Sequence, residues 1–170
     1  MACLFMTCSE LKRMQERHSS RPDSGNKAPK GSAKASAKLS TFPVSGKSSK
    51  DIISFFGDER AQGARKHEGI DIAALRGTTV LSVAAGVVTR VVEKGNGGKQ
   101  VWMRNLNSTV TYYYAHLDKQ LVTEGQQVTE GEIIGTVGNT GNASNGPSHL
   151  HFEVIDQYGK SMDPLPLMSI

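Results

Sequence analysis

The sequence has only two cysteines among its 170 residues, Cys3 and Cys8, and both lie close to its start. The rest of the chain therefore has no thiol for a disulfide framework or for a cysteine-bound zinc ion. Apolar residues make up only 37% of the chain, and no apolar run approaches the ~20 residues that a transmembrane helix needs. With 18 glycines and no long stretch of helical periodicity, the sequence is also unlike that of a helical bundle.

Acidic residues are scarce in the first fifty positions, where ten Lys and Arg face three acids for a net charge of +7. The other 120 residues carry ten basic and thirteen acidic groups, a net charge of −3. The basic character thus belongs to the N-terminal part and does not predict specific nucleic-acid binding. Residues 19–40 are almost entirely Ser, Lys, Ala, Gly, Pro and Asn, which predicts a disordered basic spacer. Its loosely spaced lysines leave two roles open, a solvated tether or an arm that contacts an anionic surface.

The first 18 residues give an ambiguous signal. Residues 2–8 are apolar, but the stretch is short and no basic residue precedes it, so an export signal is not clear. Either Cys3 or Cys8 could be the lipidated cysteine of a signal that begins further upstream, and Ala2 before Cys3 fits this better. The alternative is an unstructured start with two ordinary thiols.

From about Thr41 the sequence alternates short runs of Val, Ile, Thr and Tyr with Gly- and Asn-containing turns. This pattern predicts an all-β domain over residues 41–170, a compact antiparallel sandwich or barrel. The spacing of Val and Gly residues around 80–91 is faintly similar to that of Val, Ile and Gly around 128–137. A helical turn at 50–56 is the only competing element. The predicted strands are 69–74, 80–84, 87–93, 99–104, 110–116, 133–137 and 149–155.

Four of the five histidines lie in this predicted domain. His149, His151 and Glu153 alternate along one predicted strand and therefore share a face, with successive Cα atoms of the set about 7 Å apart. Two imidazoles placed in this way can bind one metal ion. A paired-histidine motif alone is a weak indication of a metal site.

Two further segments supply similar side chains. His67 and Asp71 lie on one side where a loop enters a strand, and they are suitable zinc donors at about 2.0–2.2 Å. A surface ion pair or a helix cap is the alternative. Alternation places Tyr112, Tyr114 and His116 together on a third strand, so Tyr114 is either a wall of the site or a half-buried strand aromatic.

These elements together offer four imidazoles and one carboxylate, more than a closed structural zinc site uses. A catalytic zinc keeps three protein ligands and an open position, so the additional imidazoles remain for proton transfer or oxyanion stabilisation. The residues alone predict a metal hydrolase and leave the assignment of ligands open.

Several segments resemble, in order along the chain, the motifs of the lysostaphin-type (LytM-like) peptidoglycan metallopeptidases. They are His67-Glu68-Gly69-Ile70-Asp71-Ile72, Tyr114-Ala115-His116-Leu117, Gly138-Asn139-Thr140-Gly141 and Gly146-Pro147-Ser148-His149-Leu150-His151-Phe152-Glu153. The resemblance extends from about Phe42 to Met168, and Ser148 is a small departure from the commonest spacing. It implies a fold of the duplicated hybrid-motif type with a groove.

The resemblance also implies a site and an activity. One zinc ion per chain would be bound by His67, Asp71 and His151, and His116 and His149 would be catalytic without binding the metal. Zinc-dependent hydrolysis of amide bonds in the peptide crosslinks or stems of bacterial peptidoglycan is the implied reaction, for cell-wall remodelling or lysis. His149 is the expected general base, and His116 would orient the water or stabilise the oxyanion. Residues 138–146 would form one rim of the cleft.

Two other functions stay open. A non-catalytic wall-binding or amidase-activating module would have the same fold, although such relatives have lost zinc ligands and all five site residues are present here. A lipoyl- or phosphocarrier-like domain would need a lysine at an exposed hairpin tip, or paired histidines without the His67 and Asp71 motif. Peptidoglycan is the expected partner, and the chain is expected to be a monomer in the cell envelope, whether periplasmic, lipid-anchored at the outer membrane or secreted.

Overall fold

The structure is a computed structural model that describes residues 38–60 and 62–169. The ambiguous start at 1–18 and most of the spacer predicted at 19–40 lie outside the described residues. Within the described part, no helix is long and apolar enough to cross a membrane. The strands, in chain order, are β1 (Ile52–Ser54), β2 (Glu59–Arg60), β3 (Arg65–Lys66), β4 (Ile70–Ala73), β5 (Thr79–Leu81), β6 (Gly86–Glu93), β7 (Lys99–Asn105), β8 (Thr111–Ala115), β9 (Leu117–Gln120), β10 (Gln127–Val128), β11 (Ile133–Val137), β12 (His149–Ile155) and β13 (Ser161–Met162).

The strands form two sheets and a separate hairpin. The larger sheet has the order β1-β4-β12-β8-β7-β6-β10, with β13 also paired to β12. The smaller sheet has the order β5-β11-β9, and β2 pairs with β3. Every one of these strand pairings is antiparallel. The predicted all-β antiparallel fold is therefore confirmed.

All seven predicted strands are present, with ends that differ by a few residues. The segment at 50–56 is not a helix of its own, because a 3-10 turn at Ser49–Asp51 leads directly into strand β1. Two further 3-10 turns lie at Gly141–Ala143 and Leu165–Leu167. Strands β2, β3, β10 and β13 have two residues each, too few for alternation to be read from the sequence.

Alternation along β12 decides which side of the larger sheet faces the core. Leu150, Phe152 and Val154 are fully buried in the hydrophobic core. The side chains between them, including His151 and Glu153, therefore face the other side of the sheet. The functional side chains thus stand on a rigid sheet whose opposite face is packed.

Leu39, near the end of the predicted spacer, is attached to this domain. Its side chain is 5% exposed and belongs to the core. Its N–H donates to the carbonyl oxygen of Leu167 at 2.6 Å, and its own carbonyl accepts from the N–H of Ser169 at 2.8 Å. The ordered structure therefore begins at least two residues before Thr41.

Candidate metal centre

Three side chains from two neighbouring strands and the loop before one of them converge on one point. Asp71 on β4 lies directly opposite His151 on β12 in the strand register. The Asp71 Oδ1 and His151 Nδ1 atoms are 2.8 Å apart. His67 Nε2 lies 3.0 Å from His151 Nδ1 and 3.1 Å from Asp71 Oδ1. We refer to His67, Asp71 and His151 as the donor cluster.

Gly69 allows the loop to approach β12 closely enough for His67 to reach the cluster. A Cβ atom at this position would lie 2.3 Å from the carbonyl oxygen of Phe152 and 2.8 Å from Cγ of Glu153. Both distances are too short for any side chain, so a glycine is required here. The His67-Glu68-Gly69-Ile70-Asp71 sequence therefore provides the close contact between strands as well as the two donors.

Contacts on the outer side fix each member of the donor cluster. His67 Nδ1 donates to the carbonyl oxygen of Phe55 at 2.9 Å, and His151 Nε2 donates to Glu153 Oε1 at 2.7 Å. The guanidinium of Arg60 donates to Asp71 Oδ2 at 2.6 Å. With these atoms engaged, His67 Nε2, His151 Nδ1 and Asp71 Oδ1 face the common point, and each ring presents a lone pair there when it is neutral.

The charges of these side chains favour a cation at the cluster. Burial alone would raise the pKa of Asp71, but hydrogen bonds from His151 and His67 outweigh it and hold the pKa far below its usual range. Burial would lower the pKa of His151, yet its hydrogen bonds to Asp71 and Glu153 raise that pKa to about 9. A proton on His151 and a metal ion are alternatives for the same position, because binding a metal requires the neutral ring.

The donor set fits zinc. Two imidazole nitrogens and one carboxylate oxygen form a frequent set of three protein ligands, which leaves a fourth position open. With bonds of 2.0–2.1 Å, tetrahedral ligands lie ~3.3 Å from one another. The donor atoms of the cluster, at 2.8 to 3.1 Å, are close to this separation. Glu153, which accepts from His151 at 2.7 Å, provides the carboxylate that commonly orients a histidine ligand.

His116 and His149 lie beside the donor cluster. Their ring centroids are 5.0 Å apart, and the ring of His116 is 5.9 Å from that of His151. His149 Nε2 lies 4.0 Å from Asp71 Oδ1. The structure therefore brings together all five residues predicted from the sequence.

Both positions expected for Tyr114, a wall of the site and a half-buried place on the strand, are wrong. Tyr114 is fully buried, and its hydroxyl accepts from the N–H of Val83 at 3.2 Å in the core. His116 does not continue the alternation of β8, because its φ of +60° turns the chain at the end of the strand. As a result Tyr113, on the opposite face from Tyr114, lines the site together with His116.

The five residues line a cavity of about 440 Å³ that is open to solvent. Asn142 and Ala143 also line it, so the segment at 138–146 contributes to its rim as expected.

Sequence reasoning missed Arg60, which reaches Asp71 from the β2–β3 hairpin, and it gave no role to Glu153. Alternation along β12 already placed Glu153 on the correct face, whereas no sequence pattern pointed to Arg60.

The fold and the site define a class: all-β proteins in which two histidines and an aspartate, from two adjacent strands and a loop, form a donor cluster compatible with a metal ion. The sequence pattern of peptidase family M23 matches residues 65–164. The chain therefore belongs to peptidase family M23, which confirms the predicted lysostaphin-type family.

The matched relatives include an endopeptidase and an activator. The L-Ala–D-Glu endopeptidase of Bacillus subtilis (strain 168) is 35% identical over 136 residues, 74% of this chain and 41% of that protein. The murein hydrolase activator NlpD of Escherichia coli (strain K12) is 38% identical over 128 residues, 73% of this chain and 30% of that protein. The chain thus spans less than half the length of either relative.

Solved structures show the same fold. A zinc-containing peptidase from Vibrio cholerae matches with a TM-score of 0.65 and 30% identity, over 76% of this chain and 40% of that chain. The catalytic domain of lysostaphin from Staphylococcus simulans matches with a TM-score of 0.62 and 27% identity, over 68% of this chain and 89% of that chain.

Proposed function

We propose that this protein is a zinc-dependent endopeptidase that hydrolyses amide bonds in the peptide crosslinks or stems of bacterial peptidoglycan, in the cell envelope. One observation carries the proposal. Three donor atoms suited to zinc lie within 3.1 Å of one another, and two further histidines face the same cavity. A protein that only binds the wall has no need of the two further histidines.

His67 Nε2, Asp71 Oδ1 and His151 Nδ1 would hold one zinc ion. A bound zinc ion would polarise a carbonyl group and lower the pKa of its bound water to about 7. The hydrogen bonds to Phe55, Arg60 and Glu153 keep the three donors in position, so the site is preorganised.

His149 is the proposed general base. Its Nδ1–H donates to the carbonyl oxygen of Pro147 at 3.0 Å, and a carbonyl oxygen can only accept, so the proton lies on Nδ1. The Nε2 lone pair is then available on the side that faces Asp71. It can take a proton from the attacking water and return it to the leaving amine.

His116 is proposed to orient the attacking water. Its Nδ1–H donates to the carbonyl oxygen of Thr140 at 2.8 Å, which leaves Nε2 as an acceptor. Burial, reinforced by the neighbouring His149 and His151, lowers the pKa of His116 to about 4. The ring is therefore neutral at physiological pH and accepts a hydrogen bond from water. This supports water orientation over oxyanion stabilisation, the other role expected for His116.

A murein-hydrolase activator of the same fold is the second candidate, favoured by the 38% identity to NlpD. An activator would work through protein contacts, and substitutions of His116 or His149 would leave its activity intact. Peptidoglycan is the proposed partner of the endopeptidase, whereas the activator would contact a peptidoglycan hydrolase.

The test combines metal analysis with hydrolysis of purified peptidoglycan. We expect close to one zinc ion per chain, and Asp71→Asn should lose most of it. Glu68→Gln is the matched control, because this exposed acid lies in the same segment but outside the donor cluster. His149→Ala and His116→Ala should retain zinc and lose hydrolysis by about 100-fold or more. Full zinc binding by Asp71→Asn would contradict the ligand assignment, and full hydrolysis by either histidine variant would contradict that residue's role.

A further inference from the structure

The side of the larger sheet that carries the donor cluster continues beyond it as a regular row of side chains. In the strand register Glu153 lies opposite Tyr113, Tyr113 opposite Trp102, and Trp102 opposite Arg90. The row thus crosses four strands, β12, β8, β7 and β6. It begins at Glu153, which contacts His151 of the donor cluster.

A second row lies two residues further along the same strands. Ile155 is opposite Thr111, and Thr111 is opposite Arg104. All three line a second cavity of about 640 Å³, together with Trp102. His151 and Ile155 are four residues apart on β12, so the strand rise puts Ile155, where the second row begins, ~13 Å from His151. The two cavities therefore lie along one continuous sheet face.

Two guanidinium groups on this face have no acidic partner. No carboxylate of the described residues lies within 4.0 Å of Arg90 or Arg104, and both side chains are exposed. Asp156 is the one acid among the described residues that line the second cavity, and its Oδ1 already accepts from two backbone N–H groups of the following turn. Within the described part of the chain, neither guanidinium is therefore neutralised by an ion pair, and both are available to an anionic ligand.

Trp102 holds one of these groups in place. The guanidinium carbon of Arg90 lies 5.6 Å from the centre of the indole, and the ring of Tyr113 is 4.3 Å from the indole on centroids. Arg90 and Tyr113 thus both pack against the indole. The hydrogen-bond donors of the Arg90 guanidinium are the groups available for recognition. A stacked arginine is well suited to bind a carboxylate through two parallel hydrogen bonds.

We propose that Arg90, Trp102 and Arg104 form a subsite for a carboxylate-bearing segment of the substrate peptide. The identity of this ligand rests on the proposed function, since peptidoglycan stems are peptides with free carboxylates. Arg104 lies two strands across the sheet from β12 as well as four residues along it, which at ~4.8 Å per strand and ~3.3 Å per residue places it ~16 Å from His151. At this distance the subsite binds a carboxylate about five extended residues from the scissile bond. The subsite therefore selects among peptides by the position of their negative charge.

Trp102 is the only tryptophan in the chain, so its fluorescence reports directly on this subsite. The probe is a synthetic stem pentapeptide with free carboxylates, and the comparison ligand is the same peptide with every carboxylate amidated. Titrations use the full chain with His149→Ala, so that the peptide is not consumed. We expect the free-carboxylate peptide to bind about tenfold more tightly than the amidated one, and the difference to shrink as salt rises.

Arg104→Gln and Arg90→Gln should each abolish most of that tenfold difference, and Arg104→Lys should keep part of it. Lys119→Gln, the same loss of charge on the smaller sheet, is the matched control and should behave like the parent. Equal binding of the two peptides, or an unchanged difference in Arg104→Gln, would overturn the subsite. If the zinc-loaded protein hydrolyses peptidoglycan but the free-carboxylate and amidated peptides bind equally, only the subsite is overturned. Discrimination without hydrolysis would support the subsite and refute the proposed function.

Discussion

Replacing Glu153 should weaken metal binding although Glu153 is not itself in the donor cluster. Its Oε1 accepts from His151 Nε2 at 2.7 Å, and the side chain is buried, with 8% exposed. Removing such a partner typically lowers metal affinity about 10- to 100-fold, which corresponds to about 1.4 to 2.8 kcal/mol. In Glu153→Ala the N–H of His151 would also lose its acceptor in a half-buried position, at a cost of about 1 kcal/mol to folding.

The affinity is measured by competition between the protein and a chelating zinc indicator, and the folding free energy by urea denaturation of the metal-free chain. Glu153→Gln keeps an acceptor oxygen without the charge, so its loss of affinity should be near tenfold and smaller than that of Glu153→Ala. Glu130→Gln is a control, because Glu130 accepts from the hydroxyls of Ser40 and Thr41 instead. Wild-type zinc affinity in Glu153→Ala would refute the argument that this carboxylate orients His151.

Further predictions concern stability. The metal-free chain should be most stable near pH 6.5. The folded state raises the pKa of His151 to about 9, so its contribution to the free energy of unfolding is lost as the pH rises from 6.5 to about 9. The folded state lowers the pKa of His116 to about 4, so its contribution is lost as the pH falls from 6.5 to about 4. Urea midpoints across this range check it, and a flat profile would contradict it. Gly69→Ala should lower the free energy of unfolding by about 1–3 kcal/mol or more, since the added Cβ would collide with the β12 backbone. In Gly146→Ala the added Cβ would have its nearest neighbour at 3.6 Å, so this control should lower the unfolding temperature little. Leu39→Ala should cost about 2 kcal/mol in the same assay because Leu39 packs in the core, and an unchanged unfolding temperature would show that this contact is not stabilising.

Much of the site followed from strand alternation. Along β12, the sequence alternates large apolar residues with His149, His151 and Glu153, and the structure buries the first set and leaves the second on the cavity side. The fold class followed from the same pattern of short apolar runs and turns. These features could be predicted because they depend on periodicity within a single strand.

The features that could not be predicted depend on contacts between distant segments or on one backbone angle. The positive φ of His116 places its side chain on the same side of the sheet as Tyr113 instead of Tyr114. No residue pattern in the sequence predicts this backbone angle. Arg60 reaches Asp71 only because a two-residue hairpin, β2–β3, lies over the donor cluster. The row from Glu153 to Arg90 requires the register of four strands, which is a property of the whole sheet.

Stepwise addition of zinc to the metal-free full chain, with release of soluble peptides from purified peptidoglycan as the readout, tests the central claim most directly. We predict no release without zinc, and a rise that ends at one equivalent per chain, because His67, Asp71 and His151 are the one cluster of metal donors among residues 38–60 and 62–169. Release that does not depend on zinc, or none at saturating zinc, would contradict the assignment of a zinc-dependent hydrolase.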